Sequence, residues 1–126
     1  MIAEMLLWLT LNTYHESRGE SDLTQQAVVH VVMNRSKESG DSIKSVVKEK
    51  NQFSWTRSKK KLNSKPWVTD PKGFSKCQLN VLRAIVKKDS TNGSVYFHET
   101  RVNPKWAKRK VRTVKLGKFV FYKERT

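Results

Sequence analysis

The stretch Tyr14-His15-Glu16-Ser17-Arg18-Gly19-Glu20 decides the reading of this chain, because it places two carboxylates where one helix stops and the next begins. Ahead of it, Ile2, Met5, Leu6 and Leu9 recur at the i, i+3, i+4, i+7 spacing of a buried helical face. Gly19 supplies the stop. A carboxyl in the last turn of a helix feels the negative end of the macrodipole, and partial burial penalises its charged form further. Both effects raise its pKa, which suits a proton donor at neutral pH and makes Glu16 the leading candidate for a catalytic acid. A solvated surface glutamate is the alternative that this segment alone leaves open.

Downstream, Asp22-Leu23-Thr24-Gln25 has the form of a capping box, with Asp22 at the N-cap and Gln25 reaching back, and it opens a second helix to about Ser39. The β-branched run Val28-Val29-His30-Val31-Val32 would also suit a strand, but the cap and the length favour helix. Asp41 or Ser42 can cap a short third helix through Ile43, Val46 and Val47. Arg57 to Pro71 is polar, basic and broken by two prolines, as a long loop would be. Helical spacing returns from Phe74 to Lys88, and Asp89 to Gly93 is a turn cluster. The pattern then changes to short alternating segments, Ser94 to His98, Val111 to Val114 and Phe119 to Tyr122, the last two flanking a hairpin turn at Leu116-Gly117-Lys118. Helices first and a small antiparallel element last predict an α+β fold, and 126 residues fit one domain, 1–126.

Twenty-six Lys and Arg against eleven Asp and Glu give a net charge of +15. Such a field concentrates polyanions, so nucleic acid, anionic membrane and anionic cell wall all qualify as partners. The basic run Arg57-Ser58-Lys59-Lys60-Lys61 and the segment Lys105 to Lys115 around Trp106 would fit phosphates, yet no helix-turn-helix, zinc-finger or RNA-recognition signature accompanies them. No specific nucleic acid is expected. Met1 to Leu11 lacks a positive n-region and a cleavage site, is interrupted by Glu4, and is far shorter than the roughly twenty residues that span a bilayer. We therefore expect no signal peptide and no transmembrane segment, a monomer made in a cytoplasm and carried to the wall by other machinery. Cys77 cannot form an internal disulfide and reads as a buried structural thiol.

Glu16, Glu20 and Asp22 cluster within seven residues, and glycoside hydrolysis ordinarily needs two carboxylates. Asp22 has the alternative role of a cap, and Glu20 that of an ion-pair partner for Arg18 or Arg35. Gln52-Phe53-Ser54-Trp55 combines an amide, a hydroxyl and two aromatic faces, the chemistry of sugar recognition, though core and turn residues have the same composition. Trp67 and Trp106 carry the same ambiguity. His15, His30 and His98 lack metal-ligand spacing, and His30 fits a satisfied histidine of the core. No metal and no cofactor are expected. No nucleophile elbow is present.

Together these segments resemble the cell wall hydrolase family of the bacterial spore cortex-lytic enzymes, the SleB-like group. Glu16-Ser17-Arg18-Gly19-Glu20, Gln25-Gln26-Ala27-Val28 and Val31-Val32-Met33-Asn34-Arg35 are similar to that family's Glu-Ala-Arg-Gly-Glu, Gln-Val-Ala-Val and Leu-Asn-Arg pattern without a gap. Gln52-Phe53-Ser54 is similar to its Gln-Phe-Ser loop. Gly93 to His98, Pro104-Lys105-Trp106-Ala107 and Leu116 to Tyr122 match a third set in order. The resemblance implies a lysozyme-like fold that cleaves the β-1,4 bond between N-acetylmuramic acid and N-acetylglucosamine in peptidoglycan. By position, it makes Glu16 the catalytic glutamate and Glu20 a supporting or second carboxylate, and it lines the sugar groove with Gln52, Ser54, Tyr96, His98 and Tyr122.

A lytic transglycosylase needs Glu16 alone; a hydrolytic muramidase needs a second carboxylate suitably placed. From other classes, a basic nucleic-acid-binding protein and a wall-binding module that has lost the chemistry stay open. We expect neither the family's usual signal segment nor its wall-binding module here, and the sequence carries His30 where small apolar residues are usual and an extra basic stretch from Arg57 to Lys65. A bare basic catalytic domain looks more like a bacteriophage endolysin, used for cell lysis, than a germination enzyme, because positive charge can replace a binding module on an anionic envelope.

Overall fold

A computed structural model describes residues 2–49, 53–57 and 68–126, with backbone alone for Ser54 and Arg57. The long first helix, α1 (Ile2–Ser17), ends where Arg18 and Gly19 turn the chain, Gly19 taking the left-handed φ of 90° that glycine adopts without a Cβ penalty. Glu16 and Glu20 therefore do not share a helix face. Next comes α2 (Asp22–Ser39), and its cap corrects the sequence reading. Ser21, not Asp22, is the N-cap: its hydroxyl accepts from the Thr24 backbone N–H. Gln25 does not reach back to the cap; its Nε2 donates to Ser17 O at 3.1 Å and so satisfies a carbonyl at the end of α1. The valine run is helical and buried, since burial on all sides outweighs β propensity.

A short α3 (Ile43–Lys48), capped by Ser42, and a 3₁₀ turn at Ser54–Arg57 follow. The fourth helix, α4 (Pro71–Val86), starts ahead of the expected Phe74, because Asp70 accepts from Gly73 N and Pro71 fits the first turn. Three strands close the chain: β1 (Tyr96–Glu99), β2 (Val111–Leu116) and β3 (Phe119–Lys123), in the order β1-β3-β2, all antiparallel, with a second 3₁₀ turn at Lys105–Arg109. The architecture is α+β and lysozyme-like, the sheet C-terminal, as expected.

Two clusters make the core. Leu9 and Leu11 of α1, Val29 and Val32 of α2, Val46 and Val47 of α3 and Val81 of α4 meet in one. In the other, Ala27, Val28 and Val31 of α2 receive Phe119 and Phe121 from the sheet, with Phe97 packed against them. Each buried Phe or Val is worth about 1.5–3 kcal/mol. Polar contacts set the register between helices: Asn80 Nδ2 donates to Gln25 Oε1 (2.7 Å) and Asp22 Oδ1 (3.0 Å), and its Oδ1 accepts from Gln26 Nε2 (3.0 Å). His30 is buried, with Nε2 2.9 Å from Ala84 O, and belongs to the core. Cys77 is buried, and desolvation pushes its thiol up to about 11, where it carries no thiolate at neutral pH. Among the described residues no helix is long and apolar enough to cross a membrane.

Candidate active site

Side-chain back-bonds within α1, Thr13 Oγ1 to Leu9 O at 2.8 Å and Ser17 Oγ to Thr13 O at 2.8 Å, together with Gln25 on Ser17 O, fix the final turn that carries Glu16. Trp55 braces the same turn, stacking on His15 with centroids 4.6 Å apart and donating from Nε1 to Asn12 Oδ1 at 2.8 Å. Glu16 opens into a cleft of about 640 Å³ that runs along the free edge of β1. Helix α2 lends Val31 and Arg35 to its wall, β1 lends side chains from both of its faces, and the segment 101–110 lends Trp106 and Lys110.

Burial raises the Glu16 carboxyl first, and the nearby Glu99 carboxylate adds to it, bringing the pKa to about 7. Glu99, the last residue of β1, lines the same cleft and was not singled out in the sequence. It is held in ion pairs with Arg101 and, at 4.0 Å, with Lys118. Glu20 is not a lining residue: its carboxylate pairs with the same Lys118 at 3.5 Å, so one lysine at the β2–β3 turn ties the α1–α2 junction to Glu99. The second carboxylate of the cleft is thus Glu99.

Tyr96 and His98 line the cleft, while Tyr122 stands behind them. In the β1–β3 register Tyr96 lies opposite Tyr122, which puts His98 diagonally across from it. His98 Nε2 is 2.9 Å from the Tyr122 hydroxyl and its Nδ1 2.7 Å from Glu99 O. Trp106 completes this cluster, 5.5 Å from Tyr96 and 5.3 Å from Tyr122 between ring centroids. The Arg35 guanidinium and the Lys110 ammonium lie 5.3 and 4.8 Å from the Tyr96 ring centre, and Arg35 also donates to Val95 O at 3.0 Å. Phe53 lines the cleft, but both it and Trp55 are buried, so the two rings of that tetrad are committed to packing. Gln52 and Trp67 lie outside the described residues, and so does most of the basic Arg57 to Lys65 stretch; for Ser54 only the backbone is described. Among the described residues no group of His, Cys, Asp or Glu could hold a metal ion.

Residues 19–122 match the family described as Cell Wall Hydrolase. Glu16 stands three positions before that match. Among solved structures the chain is similar to the catalytic domain of the germination-specific lytic transglycosylase SleB from Bacillus anthracis, at 25% identity over 94% of this chain and 93% of that one, with a TM-score of 0.76. It is also similar to the catalytic domain of the Bacillus cereus SleB protein, at 27% identity over 95% and 91% of the two chains, with a TM-score of 0.73. No curated protein sequence matches it. A family match across most of the chain, the same fold at nearly full coverage and a cleft built around a raised carboxyl agree: the chain is an enzyme of the cell wall hydrolase family.

Proposed function

We propose that the protein cuts peptidoglycan at the β-1,4 bond between N-acetylmuramic acid and N-acetylglucosamine, as a lytic transglycosylase in which Glu16 is both acid and base. The observation that carries this reading is the Glu16 carboxyl in an open cleft with its pKa raised to about 7. Such a group is largely protonated just below neutral pH and still basic enough to take a proton back. The activity named for the SleB domain from Bacillus anthracis supports the same chemistry.

Glu16 donates its proton to the glycosidic oxygen, the bond from that oxygen to the muramic acid C1 breaks, and positive charge develops on C1 and the ring oxygen. The Glu16 carboxylate then takes the proton of the muramic acid C6 hydroxyl as that oxygen bonds to C1. An internal anhydro ring closes, the acid is restored, and no water is consumed. Glu99 stabilises the developing positive charge through space. Tyr96 and Trp106 offer ring faces to the aliphatic hydrogens of the sugars. His98 is oriented by Tyr122, and Glu20 supports the site through Lys118. Gln52 and Ser54 are assigned to the groove by their motif position. Lysis of bacterial cells as the biological use is supported by the +15 charge, which favours an anionic wall.

A second reading, the hydrolytic muramidase, is favoured by one observation: Glu99 supplies the second carboxylate that water activation requires. Mass spectrometry of fragments from purified peptidoglycan separates the two. Anhydro ends, lighter by one water than hydrolysed ends, support the transglycosylase; hydrolysed ends overturn it in favour of the muramidase.

A further inference from the structure

Away from the cleft, α1 and α4 leave an apolar groove of about 510 Å³ between them, lined by Leu6 and Leu7 of α1 and by Phe74, Leu79 and Leu82 of α4. It shares no lining residue with the cleft. The outer face of α4 is unusual for a solvent-facing helix: Leu79 is 47% exposed, Leu82 50% and Val86 87%. At spacings of three and four these residues form one stripe along the helix. Lys72, Lys76 and Arg83 of α4 and Lys87 at its C-cap form a second stripe beside it, all exposed, Lys76 Nζ donating to Glu20 O at 2.7 Å and Lys87 Nζ to Gln26 Oε1 at 3.1 Å, and the helix contains no Asp or Glu. An exposed apolar stripe on a folded domain marks a contact surface. Its basic flank selects the partner, because apolar side chains beside lysines and arginines match the acyl boundary and the phosphate headgroups of an anionic bilayer.

We propose that the α1–α4 face docks on anionic membrane, with Leu79, Leu82 and Val86 entering the headgroup–acyl boundary and Lys72 and Arg83 pairing with lipid phosphates. At 16 residues α4 is too short to cross a bilayer, and it is held to α1 and α2 by its other side, so it lies in the interface plane. The cleft stays clear of the docked face, and an enzyme seated this way reaches the wall layer next to the membrane. The inference is independent of how the glycan bond is cut.

The test is co-sedimentation of the full chain with vesicles of phosphatidylglycerol and phosphatidylcholine in equal parts, against phosphatidylcholine alone, at about 0.15 M salt. Binding to the anionic vesicles only is expected, and Leu79→Ser/Leu82→Ser should weaken it about tenfold or more, because the loss of buried hydrocarbon adds over both side chains. Lys72→Gln/Arg83→Gln should weaken it to a similar degree. Circular dichroism and cleavage of soluble peptidoglycan fragments, both unchanged in the leucine variant, establish that it is folded. Three results overturn the proposal: no preference for anionic vesicles, undiminished binding by the leucine variant, which would leave net charge alone as the cause, or a concentration-dependent dimer abolished by the leucine variant without vesicle binding, which would make a second copy the occupant.

Discussion

Glu99, at the end of β1, faces the same cleft as Glu16, in the last turn of α1, and its negative charge adds to burial in raising the Glu16 carboxyl to about 7. Like charges close enough to feel one another disfavour ionisation of the more buried partner, here Glu16. Glu99 is ion-paired with Arg101 and Lys118.

Glu99→Gln removes the like charge and should lower the Glu16 pKa. The alkaline limb of kcat/KM, where Glu16 loses its proton, then moves to lower pH, so the loss of activity at pH 8 exceeds the loss near pH 5 by about two- to fivefold, and the loss near pH 5 measures the charge stabilisation alone. The pH profile of peptidoglycan cleavage checks this. A uniform loss of several orders of magnitude at every pH would instead make Glu99 a base acting on water.

The raised carboxyl also costs stability, and the sign follows from proton counts. Below about 4.5 both folded and unfolded states hold the Glu16 proton; between 4.5 and about 7 only the folded state does, so stability from this group falls as pH rises and is lowest above 7. Glu16→Gln removes that penalty. At about pH 8 the variant should be more stable than the parent by about 1–3 kcal/mol, and at about pH 4 the difference should vanish. Urea denaturation at the two pH values measures it.

Asn80→Ala should destabilise by about 2–4 kcal/mol, because Gln25 Oε1 and Gln26 Nε2 each lose a buried partner. Activity should fall with it, since Gln25 also holds the carbonyl of Ser17 beside Glu16. Thermal denaturation and specific activity below the transition test both parts.

Trp106→Ala should act on substrate binding. Its ring lines the cleft against Tyr96, and losing it should raise KM about tenfold with a smaller change in kcat. An unaltered KM would take Trp106 out of the sugar-binding surface.

Much of this was legible in the sequence where the signals are local. The helix α1, the stop at Gly19 and the hairpin at Gly117 are fixed by chemistry within a few residues, although of the apolar positions expected on the buried face Leu9 is buried, Met5 and Leu6 are half-buried and Ile2 is exposed. The cap of α2 was misplaced by one position because Ser21 and Asp22 are both good cap residues, and only backbone direction separates them. Asp70-Pro71 was a readable start for α4 that the prolines, taken as loop signals, obscured. Glu16 and Tyr96, which both line the cleft, are singled out by motif position, and Glu16 also by its place at a helix end. Glu99 is not, because its meaning depends on the sheet bringing the end of β1 against the end of α1, and no spacing along the chain encodes that. Gln25 was similarly misassigned to a local bond that it gives up for Ser17 on the neighbouring helix.

The central claim is that the Glu16 proton drives glycan cleavage, and release of fragments from purified peptidoglycan by folded Glu16→Gln tests it most directly. The amide keeps the volume of the side chain and deletes the transferable proton, so the rate should fall by at least ~10² to 10⁴ while the variant retains the parental circular dichroism. A folded Glu16→Gln protein that releases fragments at near the parental rate would contradict the account.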